Sequence, residues 1–139
     1  MIAVRYRYNE LYRQLLPTEP FRPYIPVRLE HRGHMFDTLG LIDSGADTAL
    51  FNSDILQVLG LNLADGRLAP TQGVGGTIDV FRFDIYLAAQ GRRFPASVGF
   101  SPSWPRQFGL LGRDDFFSAF QVGFDQSNRR VLLNTFPTP

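Results

Sequence analysis

Residues 40–51 read GLIDSGADTALF: an apolar run ends on Asp43, and the small residues Ser44, Gly45 and Ala46 follow it. A carboxylate at the end of a hydrophobic strand is costly to desolvate unless hydrogen bonds or a shared proton compensate it. Whatever holds Asp43 in place decides how the chain folds and what it does.

The pattern on either side is that of a β-rich domain. Upstream, Tyr24 to Glu30 and Met35 to Asp43 flank HRGH, and Gly33 makes a hairpin turn the simplest connection, so the second strand delivers Asp43 to a loop. Downstream, NSDILQVLGL predicts a short helix over 52–61, with Asn52 or Ser53 as cap and Gly60 as stop. A glycine-rich tip at Gly73, Gly75 and Gly76 then leads into the alternation Phe81, Phe83, Ile85, Leu87, which predicts a second hairpin. A turn at 89–92 and a strand over 93–100 come next, followed by the proline-rich loop SPSWPRQ.

In FGLLGRDDFFSAF an apolar strand ends at Gly112 and a short helix follows, with Asp114 as its cap and Phe116, Phe117 and Phe120 on its buried face. QVGFD and RRVLLNTF flank DQSN as a closing hairpin. At the amino-terminal end, AVRYRY has the period of a half-buried or interface strand.

Composition narrows the chemistry. The 139 residues are 44% hydrophobic and 14% aromatic, enough for the core of a single domain, and 13 glycines with 10 prolines favour strands over long helices. The net charge of +1 is spread along the chain, with no basic stripe that would read nucleic acid. No apolar run reaches the roughly 20 residues of a membrane span, so the expectation is a soluble, cytoplasmic protein. With no cysteine, and with arginine as its only basic residue besides His31 and His34, the chain has no thiol catalysis, lysine Schiff base or Walker lysine. Carboxylates, hydroxyls and two histidines remain.

Three segments fit one pattern: the strand with Asp-Ser-Gly-Ala-Asp-Thr at 43–48, the glycine-rich hairpin at 72–77, and Leu-Leu-Gly-Arg-Asp at 110–114 leading into a helix. In this order they resemble the retropepsin-like aspartic proteases, the family of the retroviral proteases and of single-lobed bacterial relatives. The resemblance covers about residues 21–136. It implies an all-β fold with one or two short helices, one acid-protease lobe per chain, with 1–20 as an amino-terminal strand or extension and 21–139 as the protease domain.

The resemblance also implies roles. An aspartic protease activates water with two carboxylates too close for both to ionise, and this chain carries a single Asp-Ser-Gly motif. A homodimer in which each chain gives its Asp43 is therefore expected, cleaving extended polypeptides without metal or cofactor. Ser44 would bond across to the partner's loop, and Gly45 would let the backbone approach the carboxylates. Gly45, Ala46 and Asp47 would bind substrate from below, and Gly73, Val74, Gly75 and Gly76 from a flap above. Asp47 and Arg113 would form a buried ion pair, whose disruption typically costs ~3–5 kcal/mol.

The chain departs from the family at Asp115, where a hydrophobic residue often follows the first aspartate, and in its first 20 or so residues. In the family both chain ends interleave in the dimer sheet; AVRYRY and VLLNTF are candidates for that, or residues 1–20 fold over the site.

Other readings compete. Asp43 can cap a turn, His31 and His34 are exposed turn histidines before they are metal ligands, and Asp114 with Asp115 reads as a helix cap with first-turn charge. Trp104 reads as core or interface before it reads as a pocket wall. A phosphate-binding loop at Gly73, a serine triad and a glycosidase pair each lack a needed partner. From a different class, a catalytically silent peptide-binding or dimerisation module is the alternative to the peptidase.

Overall fold

The computed structural model describes residues 3–8, 20–73 and 76–135. β1 (Ala3–Arg7) precedes the hairpin of β2 (Tyr24–His31) and β3 (His34–Ile42). Arg32 and Gly33 turn that hairpin with φ of 47° and 84°, the left-handed pair that matches strand twist in a two-residue turn, and His31 faces His34 in register. After β3 come β4 (Leu50–Asn52), the single-turn helix α1 (Ile55–Val58) and a 3-10 turn at Leu63–Asp65. β5 (Arg67–Leu68), β6 (Thr71–Gly73), β7 (Gly76–Ile78), β8 (Phe81–Ala89), β9 (Arg92–Ser101) and β10 (Gly109–Leu111) follow. A π-helical turn at Arg113–Phe117 leads to β11 (Phe120–Asp125) and β12 (Arg130–Thr135).

The main sheet runs β2-β3-β10-β4-β9-β8-β5, and β2 also pairs with β8, which closes six of its strands into a barrel. Most neighbours are antiparallel, but β10 runs parallel to β3 and β4 runs parallel to β9. The first of these parallel pairings sets Leu111 beside Ile42, immediately before Asp43.

Alternation along the strands fills the barrel. Leu29, Phe51, Leu87, Val98, Phe100 and Leu111 are buried within it, and Phe83 meets Phe100 edge-on with ring centroids 5.8 Å apart. A smaller cluster of Tyr24, Leu39 and Phe108, with Leu41 and Trp104 against it, covers another face of β3. Trp104 is fixed there by its indole N–H, which donates to the Phe108 carbonyl at 2.7 Å.

A separate three-stranded sheet has the order β1-β12-β11. β1 therefore pairs with the carboxy-terminal strand of its own chain, Tyr6 against Val131 and Arg7 against Arg130. Tyr8, which follows it, is buried, whereas Arg5 and Arg7 are exposed.

Two local expectations need correction. The helix expected over 52–61 is confined to Ile55–Val58, because Asn52 belongs to β4 and its carboxamide donates to the Trp104 carbonyl at 2.6 Å. The same side chain accepts the Asp54 N–H at 2.8 Å, so it tightens the strand end rather than capping a long helix. Asp114 does not cap the second helix: that position falls to Gly112, Phe117 is half-buried, and Phe120 already lies in β11. No helix among the described residues is long and apolar enough to cross a membrane.

Candidate active site

Asp43 leaves the barrel at the end of β3, half-buried, with its N–H donating to the Leu111 carbonyl at 3.1 Å. Its carboxylate Oδ1 accepts the Gly45 N–H at 2.8 Å, and its carbonyl accepts the Ala46 N–H at 3.1 Å. The chain thus turns tightly around its own carboxylate, and a Cβ on Gly45 would stand 3.2 Å from Oδ1. Ser44 and Gly45 are exposed beside it.

Beyond Ala46 the loop is tied to the segment after β10, rung by rung. Arg113 N–H donates to the Ala46 carbonyl at 2.9 Å, and Asp114 N–H donates to the Asp47 carbonyl at 2.8 Å. Gly112 packs directly on the loop backbone: a Cβ there would lie 2.5 Å from the Thr48 nitrogen. Two of the three sequence segments are therefore one structural unit, brought together by the parallel pairing of β3 with β10.

Asp47 and Arg113 do meet, with the guanidinium Nη2 donating to Oδ1. Their side chains are, however, 74% and 57% exposed, which corrects the expectation of a buried pair within the chain. In water such a pair contributes about 0–1 kcal/mol, because screening and side-chain entropy offset the attraction.

The buried acid at this place is Asp115, only 7% exposed. Its Oδ1 accepts the Gly112 N–H at 3.0 Å and the Phe116 N–H at 2.6 Å, while Oδ2 accepts the N–H of Ala49 in the loop. Burial pushes its carboxyl up, against the pull of these backbone donors and of the Arg82 charge. Arg82, at the start of β8, donates to Thr48 Oγ1 at 2.8 Å and to Ser97 Oγ at 3.1 Å. Neither residue stood out in the sequence as part of the site; the one available signal was a second acid set directly before Phe116 and Phe117.

The glycine-rich segment folds as the hairpin β6–β7, a two-stranded sheet of its own with Gly73 opposite Gly76. Val74 and Gly75, named as flap residues, lie outside the described residues. His31 and His34 sit at the β2–β3 turn, and no group of three histidines or acids is placed to hold a metal among the described residues.

No family model matches the sequence, and no curated protein matches it. Solved structures do. A retropepsin-like aspartic protease from Rickettsia conorii superposes with a TM-score of 0.67 at 16% identity, covering 96% of this chain and 91% of its own, a reach beyond residues 21–136. EIAV protease in complex with the inhibitor HBY-793 superposes with a TM-score of 0.55 at 22% identity, covering 73% of this chain and 90% of its own. The chain has the all-β, single-lobe fold of the retropepsin-like aspartic proteases.

Proposed function

We propose that the protein is an aspartic endopeptidase whose dyad is built from Asp43 of two chains in a homodimer. The observation that carries this reading is the Asp43 turn: a carboxylate at the mouth of the barrel, oriented by the Gly45 N–H and backed by the Leu111 carbonyl, with exposed small residues around it. A carboxylate that only capped a turn would have no use for the backbone ties that fasten this loop to the 111–115 segment.

Two such carboxylates face to face hold one proton between them. The ionised one takes a proton from water while the protonated one donates to the scissile carbonyl oxygen, giving a tetrahedral diol. The protonated carboxyl then donates to the amide nitrogen while the other takes a proton from a diol hydroxyl; the C–N bond breaks, amine and carboxylic acid leave, and one proton again lies between the two aspartates. Ser44 would bond to the partner's loop and hold the two turns together. Gly45, Ala46 and Asp47 would align an extended peptide by its backbone, and the hairpin carrying Gly73 to Gly76 would close over it and exclude water.

The test is cleavage of a diverse peptide library by the wild type and by Asp43→Asn. In the homodimer this variant removes both carboxylates of the dyad, so the rate should fall by about a thousandfold or more with the fold retained. If neither protein cuts although both are folded and dimeric, the silent binding module takes its place.

A further inference from the structure

Asp115 is a buried acid that the proposed chemistry does not use. Its three donors come from two different segments: Gly112 and Phe116 from the π-helical turn, and Ala49 from the end of the Asp43 loop. All three are N–H groups, so the site demands a group that only accepts, on both of its ends. A carboxylate does so. An asparagine of the same shape would turn its NH2 either on Ala49 or on the pair Gly112 and Phe116.

The turn that carries Asp115 is built to aim it inward. The Gly112 carbonyl accepts the N–H of both Phe116 at 3.0 Å and Phe117 at 3.1 Å, and the second of these spans five residues and widens the turn. A single π turn accommodates one residue more than an α turn, and here the arginine–aspartate motif is followed by a second acid.

We propose that Asp115 is a positioning residue for Asp43: through Ala49 and Gly112 its carboxylate fixes both the exit of the Asp43 loop and the strand end that holds its entry. Gly112 adjoins Leu111, whose carbonyl receives the Asp43 N–H. Ala49 is also gripped from the far side, its carbonyl accepting the Gly99 N–H at 2.9 Å. The Asp43 turn therefore hangs between two points that Asp115 joins.

The inference rests on Asp43 being the reacting carboxylate, so its test includes readouts that need no activity. Asp115→Asn is compared with the wild type in kcat and KM on one peptide, Ala49 amide exchange, and the carboxyl carbon resonance of Asp43. The expected result is a kcat lower by about 10- to 100-fold, the scale of a reacting group displaced by an ångström, with KM within about twofold. Ala49 exchange should be at least about tenfold faster and the Asp43 resonance displaced.

If the wild type cuts no peptide, the proposed function fails, but a faster Ala49 amide and a displaced Asp43 resonance still support the positioning role. An unchanged Ala49 amide and an unmoved Asp43 resonance overturn it, as does a kcat loss that only tracks the unfolded fraction. Should Asp115→Asn not fold, replacing Ala49 by lactate turns the single N–H into an ester oxygen and keeps the side chain; a smaller displacement of the Asp43 resonance and a smaller loss of kcat are expected, and an unmoved Asp43 resonance overturns the proposal.

Discussion

The loop at 43–49 and the hairpin at 71–78 are both short, glycine-containing excursions from the same barrel, yet they are held in opposite ways. The loop is bonded to a second segment through Asp43, Ala46, Asp47 and Ala49, which meet Leu111, Arg113, Asp114 and Asp115 in turn. The hairpin forms a two-stranded sheet of its own, joined to the rest at its base, where the Ala69 N–H reaches the Val80 carbonyl at 2.7 Å. An isolated two-stranded ribbon is only marginally stable, whereas a loop with cross-segment bonds moves with the core. The contrast suits the proposed peptidase, which would need a fixed carboxylate and a cover that opens.

The hardest way to break this contrast is Gly112→Ala. Its φ of −104° suits any residue, so the whole penalty is steric: the methyl group would meet the Thr48 backbone, which has no rotamer to change. A loss of about 1–3 kcal/mol is expected. Denaturant unfolding measures it, and amide exchange should speed up across 43–49 while Thr71 and Thr77 keep their wild-type rates. Equal acceleration in both regions would mean that the loop and hairpin are one cooperative unit.

A far smaller effect is expected from Arg113→Ala. With both partners largely exposed, the single chain should lose less than about 1 kcal/mol, against the ~3–5 kcal/mol of a buried pair. Unfolding measured where the chain is monomeric decides between these values. A loss near the larger figure would show that the ion pair, rather than the backbone bonds, fastens the loop.

How much of this was legible in the residues varies with the kind of signal. The alternation in Phe81 to Leu87, the turn at Gly33 and the apolar run into Asp43 each report a local period, and the observed β8 and the β2–β3 hairpin follow them. β4 and β5 are too short to carry a period, and they exist because longer neighbours offer them an edge. Asn52 misled for the same reason: a good helix cap in isolation was taken over by the long-range bond to Trp104. At the site, Asp43 and Leu110 to Asp114 were readable as motifs. The depth of Asp115 and the exposure of Asp47 were not, because burial is settled by which segment packs on which.

The central claim is that each active site takes an Asp43 from two chains, and subunit mixing tests it most directly. A fixed amount of wild type is equilibrated with increasing Asp43→Asn chain, and peptide cleavage is followed. If every working site needs two intact carboxylates, random pairing at a ninefold excess of the variant leaves about a tenth of the wild-type activity. Activity that stays constant through that titration, with mixed dimers shown to form, would contradict the two-chain dyad.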